Sequence, residues 1–416
     1  MQDALEQLLY LLHFFDVEPE LLGRHARTYD ALARKLHGEP RPPRERRAGR
    51  IRIGYVSGDF RNHVMGKMML EALRRHDGER FEVFGYATTG ARDAWTPRFA
   101  EAFHGFASLA ELGDQDAVER IAADDLDVLV DLSTHTRGAR PAIFARKPAR
   151  VAITHVASAG TLGLSAIDFK LTDRYADLAH DPAHQIEPLL AMSGCVYPYR
   201  HVEASPNAPF SRASLGIDKD AVVIAAFSTP LKLSQRCLAL WRDVFARLPN
   251  ARLAFSPVHP GLRPAFLRLA ALAGVGAHRV VFVPQGRDDA ENQARYRVVD
   301  FVLDPMPYGG VNGTLEALDM NVPVVTLVGR RHAERTSFSI LTNLGVTDTI
   351  AQTGGDYVDI AVRLATDRAF MQDVRTRIAA GLHASVLTDM AAHTRHLEAA
   401  YLAALEHGAP EAIAGG

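Results

Sequence analysis

Five short apolar runs in the second half of the chain constrain its fold more than any other feature. Each run is rich in Val, Ile, Leu or Phe, and stretches with helical spacing separate them. The runs are VVIAAF at 222–227, ARLAFS at 251–256, VVFVP at 280–284, FVLD at 301–304 and VPVVTL at 322–327. Strands that are apolar along their whole length and alternate with helices indicate a parallel sheet that helices cover on both faces.

A similar alternation of strand and helix patterns begins at residue 51. The predicted strands are IRIGYVS at 51–57, FEVFGYA at 81–87, DVLVDLS at 127–133, VAITHV at 151–156 and DFKLTD at 168–173. Two such units in tandem predict an α/β protein with two doubly wound, Rossmann-like domains that face each other. In such sheets the ligand binds beyond the carboxyl ends of the strands.

The domain boundaries follow from length and from one linker. At 416 residues the chain is too long for one ordinary core. The Pro- and Arg-rich stretch EPRPPRERRAGR at 39–50 separates two predicted helices from the first strand. We predict a helical segment with its linker at residues 1–47 and an N-terminal domain at 48–205. A C-terminal domain follows at 206–383, and a C-terminal helix with a tail at 384–416.

Charge and cysteine content limit the partners of the chain. A net charge of −2 gives no strong attraction to nucleic acid or to an anionic membrane, so we expect neither partner. Two cysteines, Cys195 and Cys237, cannot build a disulfide framework, which favours a reducing cytoplasm. The N-terminus resembles an amphipathic helix rather than a signal peptide, and no apolar run reaches membrane-spanning length. We therefore expect a cytoplasmic protein.

A glycine-rich loop precedes a predicted helix at residues 307–327. Gly309, Gly310 and Gly313 follow an apolar strand, and a short helix is predicted over about residues 314–320, with Asn312 as its cap. Glycines allow close backbone approach, and the free N–H groups of a helix N-terminus bind anions. Glu316, in the first turn, could accept hydrogen bonds from two sugar hydroxyls. The alternative is a tight strand-to-helix turn without a ligand.

Three further candidates follow predicted strands. Lys232 comes after VVIAAF and could neutralise a phosphate that the glycine loop also holds, or could be an ordinary surface lysine. His63 follows IRIGYVS, and His135 follows DVLVDLS in a Thr-His-Thr-Arg-Gly stretch that could hold a polar substrate. The alternative for each histidine is a surface position with no functional role.

Other chemistries lack their sequence marks. The sequence contains no Walker loop, no GxGxxG after the first strand and no GxSxG. It therefore lacks the motifs that are typical of P-loop kinases, classical dehydrogenases and serine hydrolases. Asp125 and Asp127 imitate a manganese-binding triplet, but they precede a buried strand and indicate a turn. His180 and His184 have helical spacing without an obvious third ligand. We predict no metal site and no cofactor.

Residues 51–383 together resemble a known family. The motifs are RIGYVSGDFRNH, FEVFGY, DVLVDLSTHTRGAR, FARKPARV, IDFKLTD, the lysine of PLKLS, FVLDPMPYGG, EAL, VPVVTL and RHAERTSFSILTNLG. In this order they are similar to the catalytic region of the SPINDLY-like O-linked N-acetylglucosamine transferases, glycosyltransferase family 41. The resemblance implies the GT-B architecture of two facing domains and an inverting, metal-independent transfer of a sugar, most often GlcNAc, from UDP-sugar to Ser or Thr of proteins. Residues 1–38 would be a remnant of the family's helical repeats.

The resemblance also implies roles for single residues. Lys232 matches the lysine that contacts the donor diphosphate, Glu316 matches the acidic ribose ligand, and Arg295 lies in the nucleobase region. His63 matches a family histidine that has been considered as a base or as an orienting group. His135 matches a histidine that lies near the sugar and the acceptor. In the family, the backbone amides of one segment hold the phosphates of the donor. That segment matches Val311, Asn312, Gly313 and Thr314.

Departures from the family pattern leave the substrates open. Asn312 and Gly313 stand where most bacterial relatives have threonines, and this pair is similar to the adhesin N-glycosyltransferases, which use UDP-glucose and asparagine. Asn292 and Thr229 replace a usual histidine and an amide-type residue, and residues 153–159 replace a Trp-Leu-Gly-Tyr-Pro pattern. The alternatives are therefore a UDP-glucose-dependent N-glycosyltransferase, a small-molecule glycosyltransferase, or a nucleotide-sugar-binding scaffold without turnover. A partner protein could supply acceptor recognition.

Overall fold

The computed structural model describes residues 2–42, 44–155 and 158–407, and it divides into two compact units. Of the described residues, the first unit takes 2–13, 17–200 and 389–407, and the second takes 14–16 and 201–388. Parts of four predictions lie outside the described residues: residues 1 and 43 of the segment 1–47, residues 408–416 of the segment 384–416, residue 156 of the strand 151–156, and residues 156–157 of the stretch 153–159.

Among the described residues of the first unit, seven parallel strands form one sheet in the order β3–β2–β1–β4–β5–β6–β7. They are β1 (Ile51–Ser57), β2 (Phe81–Ala87), β3 (Gly105–Ser108), β4 (Val128–Asp131), β5 (Val151–Thr154), β6 (Phe169–Asp173) and β7 (Leu189–Met192). Its first helices are α1 (Gln2–Leu12), α2 (Pro19–His37), α3 (Val64–Leu73), α4 (Thr96–Ala100), α5 (Asp114–Ala122) and α6 (Pro141–Ala145). Every residue of β4, β5 and β6 is buried, as expected for strands covered on both faces.

Six parallel strands form the sheet of the second unit, in the order β10–β9–β8–β11–β12–β13. They are β8 (Val223–Ala226), β9 (Arg252–Phe255), β10 (Val280–Phe282), β11 (Phe301–Leu303), β12 (Val324–Leu327) and β13 (Ile350–Ala351). Its helices are α7 (Gln235–Arg247), α8 (Arg263–Leu272), α9 (Asp289–Ala294), α10 (Asn312–Asp319), α11 (Thr336–Leu344), α12 (Gly354–Thr366) and α13 (Arg368–Leu382). The two sheets confirm the α/β class and the two doubly wound units predicted from the sequence.

Three strands were not predicted: β3, β7 and β13. Each has four residues or fewer and lies at the edge of its sheet. An edge strand pairs on one side only and can be short, so it leaves little hydrophobic pattern in the sequence.

The last helix, α14 (Met390–His407), returns to the first unit and packs on α3 and β7. The Thr394 hydroxyl donates to the backbone oxygen of Ala72 at 3.0 Å. The buried Glu398 carboxylate accepts from the backbone N–H of Asp77 at 2.9 Å and lies 3.0 Å from Nδ1 of His76. None of the described helices combines the length and the apolarity that a membrane crossing requires.

Glu398→Ala should lower the free energy of unfolding by about 1–3 kcal/mol, because it removes the buried acceptor of the Asp77 N–H and the His76 ring. Glu406, exposed on the same helix, is the matched control, and Glu406→Ala should change stability by less than about 0.5 kcal/mol. Urea unfolding of both variants measures the difference. Equal losses in the two variants would contradict this role of Glu398.

Candidate functional site

The loop after β11 is built around the carboxylate of Asp304. Its Oδ1 accepts from the Gly310 N–H at 2.7 Å, and its Oδ2 accepts from the Thr326 hydroxyl at 2.7 Å. Burial raises the pKa of Asp304, and these hydrogen bonds oppose that effect. A Cβ on Gly309 would lie 2.8 Å from the Thr336 hydroxyl and 2.9 Å from Oδ2 of Asp304, and one on Gly310 would lie 2.6 Å from the Thr314 hydroxyl and 3.1 Å from Oδ1 of Asp304. Packing against Asp304 and these two hydroxyls therefore accounts for both glycines without a ligand.

Gly313 is different, because nothing nearby requires a glycine there. A Cβ at this position would meet no atom closer than 3.7 Å, which is ordinary van der Waals contact. A glycine in a helix is less stable than an alanine by about 1 kcal/mol. Its presence in the first turn of α10 therefore favours a ligand that approaches the backbone closely over a simple turn.

The helix α10 begins at Asn312, earlier than predicted, and the predicted Asn312 cap is wrong. Val311 occupies the cap position and makes no side-chain cap bond. The Asn312 amide instead donates to Oε1 of Glu316 at 2.6 Å, since residues four apart on a helix lie side by side. The Thr314 side chain is buried, and its hydroxyl lies 2.7 Å from that of Ser337. Residues 312–314 therefore offer a ligand mainly their backbone.

Polar neighbours hold the partly exposed carboxylate of Glu316. Beside the Asn312 amide, the Tyr296 hydroxyl lies 3.1 Å from its Oε2, and a guanidinium nitrogen of Arg295 lies 3.9 Å from the same oxygen. Arg295 is itself buried, and it donates to the Ser256 hydroxyl and to the Asn292 backbone oxygen, both at 2.8 Å. The guanidinium of Arg295 thus lies near Glu316, but most of its hydrogen-bond donors already bind other groups of the protein.

Lys232 lies at the same loop. It ends a 3₁₀ turn, Pro230–Lys232, that follows β8, the strand next to β11. Its ammonium donates to the Gly309 backbone oxygen at 2.7 Å and lies 3.9 Å from the centre of the Tyr308 ring. Burial lowers the pKa of Lys232 to about 8, and the Asp304 charge opposes that effect. At pH 7 the side chain is mostly a cation.

In the first unit, His63 caps α3 at the carboxyl end of β1. Its Nδ1 lies 3.3 Å from the Met65 N–H and 3.3 Å from Oδ2 of Asp59. If Nδ1 accepts from Met65, the neutral ring carries its proton on Nε2 and can only donate from there. If Nδ1 donates to Asp59, Nε2 is free to accept a proton. Only the second tautomer makes His63 a base.

His135 follows β4, the strand next to β1, and it is buried. Its ring contacts Tyr29 of α2 edge-on, with the ring centres 5.6 Å apart, and burial lowers its pKa to about 4. Hydrogen bonding to the backbone of Leu162 and Thr161 opposes that effect on the pKa. The preceding Thr134 has a φ of 48°, an unusual conformation for a β-branched residue. The carboxylate of Asp131 maintains it by accepting from the Thr134 N–H at 3.0 Å.

The predicted site residues thus form two groups. His63 and His135 lie on neighbouring loops of the first unit, where the Gly58 N–H donates to the Ser133 hydroxyl at 3.2 Å. Lys232, Arg295 and the residues at 311–316 lie around the start of α10 in the second unit. Asp125, in the suspected acidic triplet, has a φ of 47° and lies between α5 and β4, as expected for a turn.

Sequence reasoning missed Asp304, Tyr308 and Tyr296. Asp304 had a detectable signal, because an acid that directly follows an apolar strand in a parallel sheet lies at the ligand-binding edge. The two tyrosines had none, since their contacts with Lys232 and Glu316 depend on the tertiary fold. Within the described residues, the one group able to share a metal ion is His201, Asp319 and His383, and it contains none of the predicted site residues.

Two doubly wound units, with a glycine loop, a helix N-terminus and a lysine in the second, are typical of the GT-B architecture. The chain belongs to glycosyl transferase family 41, whose family model matches residues 24–202 and 202–397. A solved structure of a point mutant of the Thermobaculum terrenum O-GlcNAc transferase superposes with a TM-score of 0.88 at 28% identity, covering 98% of this chain and 78% of that one. The predicted family and GT-B architecture are confirmed.

Curated plant proteins are also similar to the chain. The probable UDP-N-acetylglucosamine--peptide N-acetylglucosaminyltransferase SPINDLY of Hordeum vulgare is 28% identical over 84% of this chain and 37% of its own length. The corresponding probable enzyme SEC of Arabidopsis thaliana is 27% identical over 85% of this chain and 37% of its own length. The chain therefore spans less than two fifths of these relatives.

Gly313→Ala should leave the free energy of unfolding unchanged or raise it by up to about 1 kcal/mol, because alanine fits the space and favours a helix. If a ligand approaches this backbone, the same change should weaken UDP binding by roughly ten-fold or more, the effect of losing one or two good contacts. Thermal unfolding and calorimetry with UDP measure the two effects. Unchanged UDP affinity would favour the simple turn.

Asp59→Asn should lower the pKa of His63 further below its usual 6.5. Burial is the main cause of the present lowering, and the Asp59 charge is the contribution that opposes it. NMR titration of ¹³C-labelled histidines measures the pKa, with His63→Gln to assign the signal and Asp116→Asn, at an exposed position of α5, as the charge control. A raised or unchanged pKa in Asp59→Asn would show that this carboxylate does not stabilise the charged ring.

Proposed function

We propose that this chain transfers N-acetylglucosamine from UDP-N-acetylglucosamine to Ser or Thr of protein acceptors, with inversion and without a metal ion. The observation that carries the proposal is the Lys232 ammonium, 2.7 Å from the Gly309 oxygen in the loop that leads into α10. A cation and a helix N-terminus beside one glycine loop suit the diphosphate of a UDP-sugar. The names of the plant relatives and of the bacterial structure support this donor and a peptide acceptor.

The reaction is one displacement at the anomeric carbon. The acceptor oxygen forms a bond to C1 from the face opposite UDP, and the bond from C1 to the β-phosphate oxygen breaks, so UDP leaves with the electron pair. The acceptor proton passes to Nε2 of His63, in the tautomer that donates to Asp59, or to solvent. Negative charge grows on the β-phosphate, where Lys232 and the backbone N–H groups of residues 312–314 stabilise it.

The remaining residues position the two substrates. The carboxylate of Glu316, held by Asn312 and Tyr296, accepts hydrogen bonds from the ribose hydroxyls. Arg295 supports the nucleobase side of the pocket through Glu316 and the backbone of Asn292. The N-terminal domain serves the acceptor, and the C-terminal domain binds the UDP-sugar. His135, neutral at pH 7 because its pKa is about 4, contacts the sugar or acceptor as a neutral group.

UDP-glucose with an asparagine acceptor is the second candidate. The observation that favours it is the open space at Gly313, where a side chain would meet nothing closer than 3.7 Å. In the family pattern described above threonines stand at this place, so Gly313 leaves space beside the diphosphate that a threonine side chain would occupy.

Lys232→Met should reduce transfer by about 10²–10³-fold, the effect of removing one donor that stabilises a developing anion. Lys219→Met, at an exposed lysine of the same unit, is the matched control and should retain wild-type turnover. The test is calorimetry with UDP, UDP-N-acetylglucosamine and UDP-glucose, together with mass-spectrometric detection of sugar on peptide libraries. The sugar nucleotide that binds and turns over identifies the donor.

Two outcomes would contradict the proposal. Wild-type turnover in Lys232→Met would remove this residue from the reaction, and no binding of any uridine nucleotide would remove the transferase function. Tight UDP binding without transfer or hydrolysis would instead indicate a nucleotide-sugar-binding scaffold.

A further inference from the structure

Three potential metal ligands converge in the second unit, outside the proposed donor site. His201, Asp319 and His383 each offer one ligand atom, and these atoms all lie within 4.8 Å of one another. Nδ1 of His201 lies 2.6 Å from Oδ1 of Asp319, and the two imidazole rings meet edge-on with their centres 5.2 Å apart. Two imidazoles and one carboxylate form a donor set that zinc takes readily, usually with water as the fourth ligand.

The carboxylate of Asp319 is already fixed in position. The side chain is fully buried, and its Oδ2 accepts from the Val202 N–H at 3.1 Å and from the Gln293 amide at 3.2 Å. These two bonds direct Oδ1 toward His201. Hydrogen bonds of this kind orient the ligating carboxylates of metal sites, and they raise metal affinity by fixing the ligand before the ion arrives.

The two imidazoles can adjust and are accessible. The side chain of His201 is 49% exposed, and His383 is exposed at the end of α13. Tetrahedral zinc with bonds of about 2.0–2.1 Å places its ligand atoms roughly 3.3 Å apart. Zinc binding would therefore lengthen the distance between Nδ1 of His201 and Oδ1 of Asp319 by about 0.7 Å. It would shorten the longest distance between two ligand atoms by up to about 1.5 Å. Small rotations of the exposed rings provide both changes.

We propose that His201, Asp319 and His383 bind one Zn²⁺, and that the ion fastens both ends of the second unit to α10. His201 is the first residue of the segment 201–388, and His383 lies five residues before its last residue. Asp319 ends α10, the helix whose other end faces the glycine loop. The two nitrogen ligands favour zinc over Mg²⁺ or Ca²⁺, which prefer oxygen. The site is independent of the reaction proposed above and supplies no catalytic group.

The test is zinc retention by the full chain, purified without a histidine tag and stripped with EDTA. After incubation with ZnCl₂ and dialysis, elemental analysis should find one zinc per wild-type chain, and zinc should raise the melting temperature. His383→Ala should weaken zinc binding by roughly ten-fold or more and abolish the thermal shift. His278→Ala, at an exposed histidine of the same unit, is the matched control and should behave as the wild type.

Two results would overturn the proposal: no retained zinc in the wild-type chain, or equal retention in His383→Ala. Circular dichroism in EDTA checks that His383→Ala is folded. His201→Ala gives an independent second variant at a half-exposed ring and should show the same loss.

Discussion

The carboxylate of Asp304 organises the site in the second unit. A buried carboxylate without partners is costly, so its surroundings must supply hydrogen bonds and positive charge. The Gly310 N–H and the Thr326 hydroxyl provide the bonds, and Lys232 provides the charge. The same carboxylate holds the glycine turn that leads into α10, and the Lys232 ammonium donates to the Gly309 oxygen of that turn. The stability of this turn and the geometry it offers a ligand therefore depend on one group.

In the first unit, a buried carboxylate, Asp131, organises the loop at the end of β4 in the same way. Asp131 accepts from backbone N–H groups of the following loop and from the hydroxyl of Thr154, its register partner on β5. Burial raises the pKa of Asp131 to about 6. Asp304 accepts in the same way from the hydroxyl of Thr326 on β12. In both units an acid at a strand end, bound to a threonine of the adjacent strand, holds the loop where doubly wound sheets bind ligands.

The sequence predicted what depends on local pattern. Apolar runs specify buried parallel strands, and the strand-end rule correctly brought Lys232 to the glycine loop, because β8 and β11 are neighbours in the sheet. Features that depend on competing contacts or on residues far apart in the chain were not predicted. Asparagine can either cap a helix or bond to a side chain one turn later, and Asn312 bonds to Glu316 instead of capping α10. The burial of His135 follows from packing of Tyr29, about a hundred residues away in the chain. The His201 cluster spans the whole unit, so no spacing indicates it.

We propose that the turn around Asp304 and the start of α10 bind a nucleotide diphosphate, and a crystal structure of the chain with UDP is the decisive test. We expect phosphate oxygens within about 2.7–3.1 Å of the Lys232 ammonium and of backbone N–H groups at 312–314, with the ribose hydroxyls on Glu316. UDP bound elsewhere on the chain, or bound here with its diphosphate away from Lys232, would contradict it.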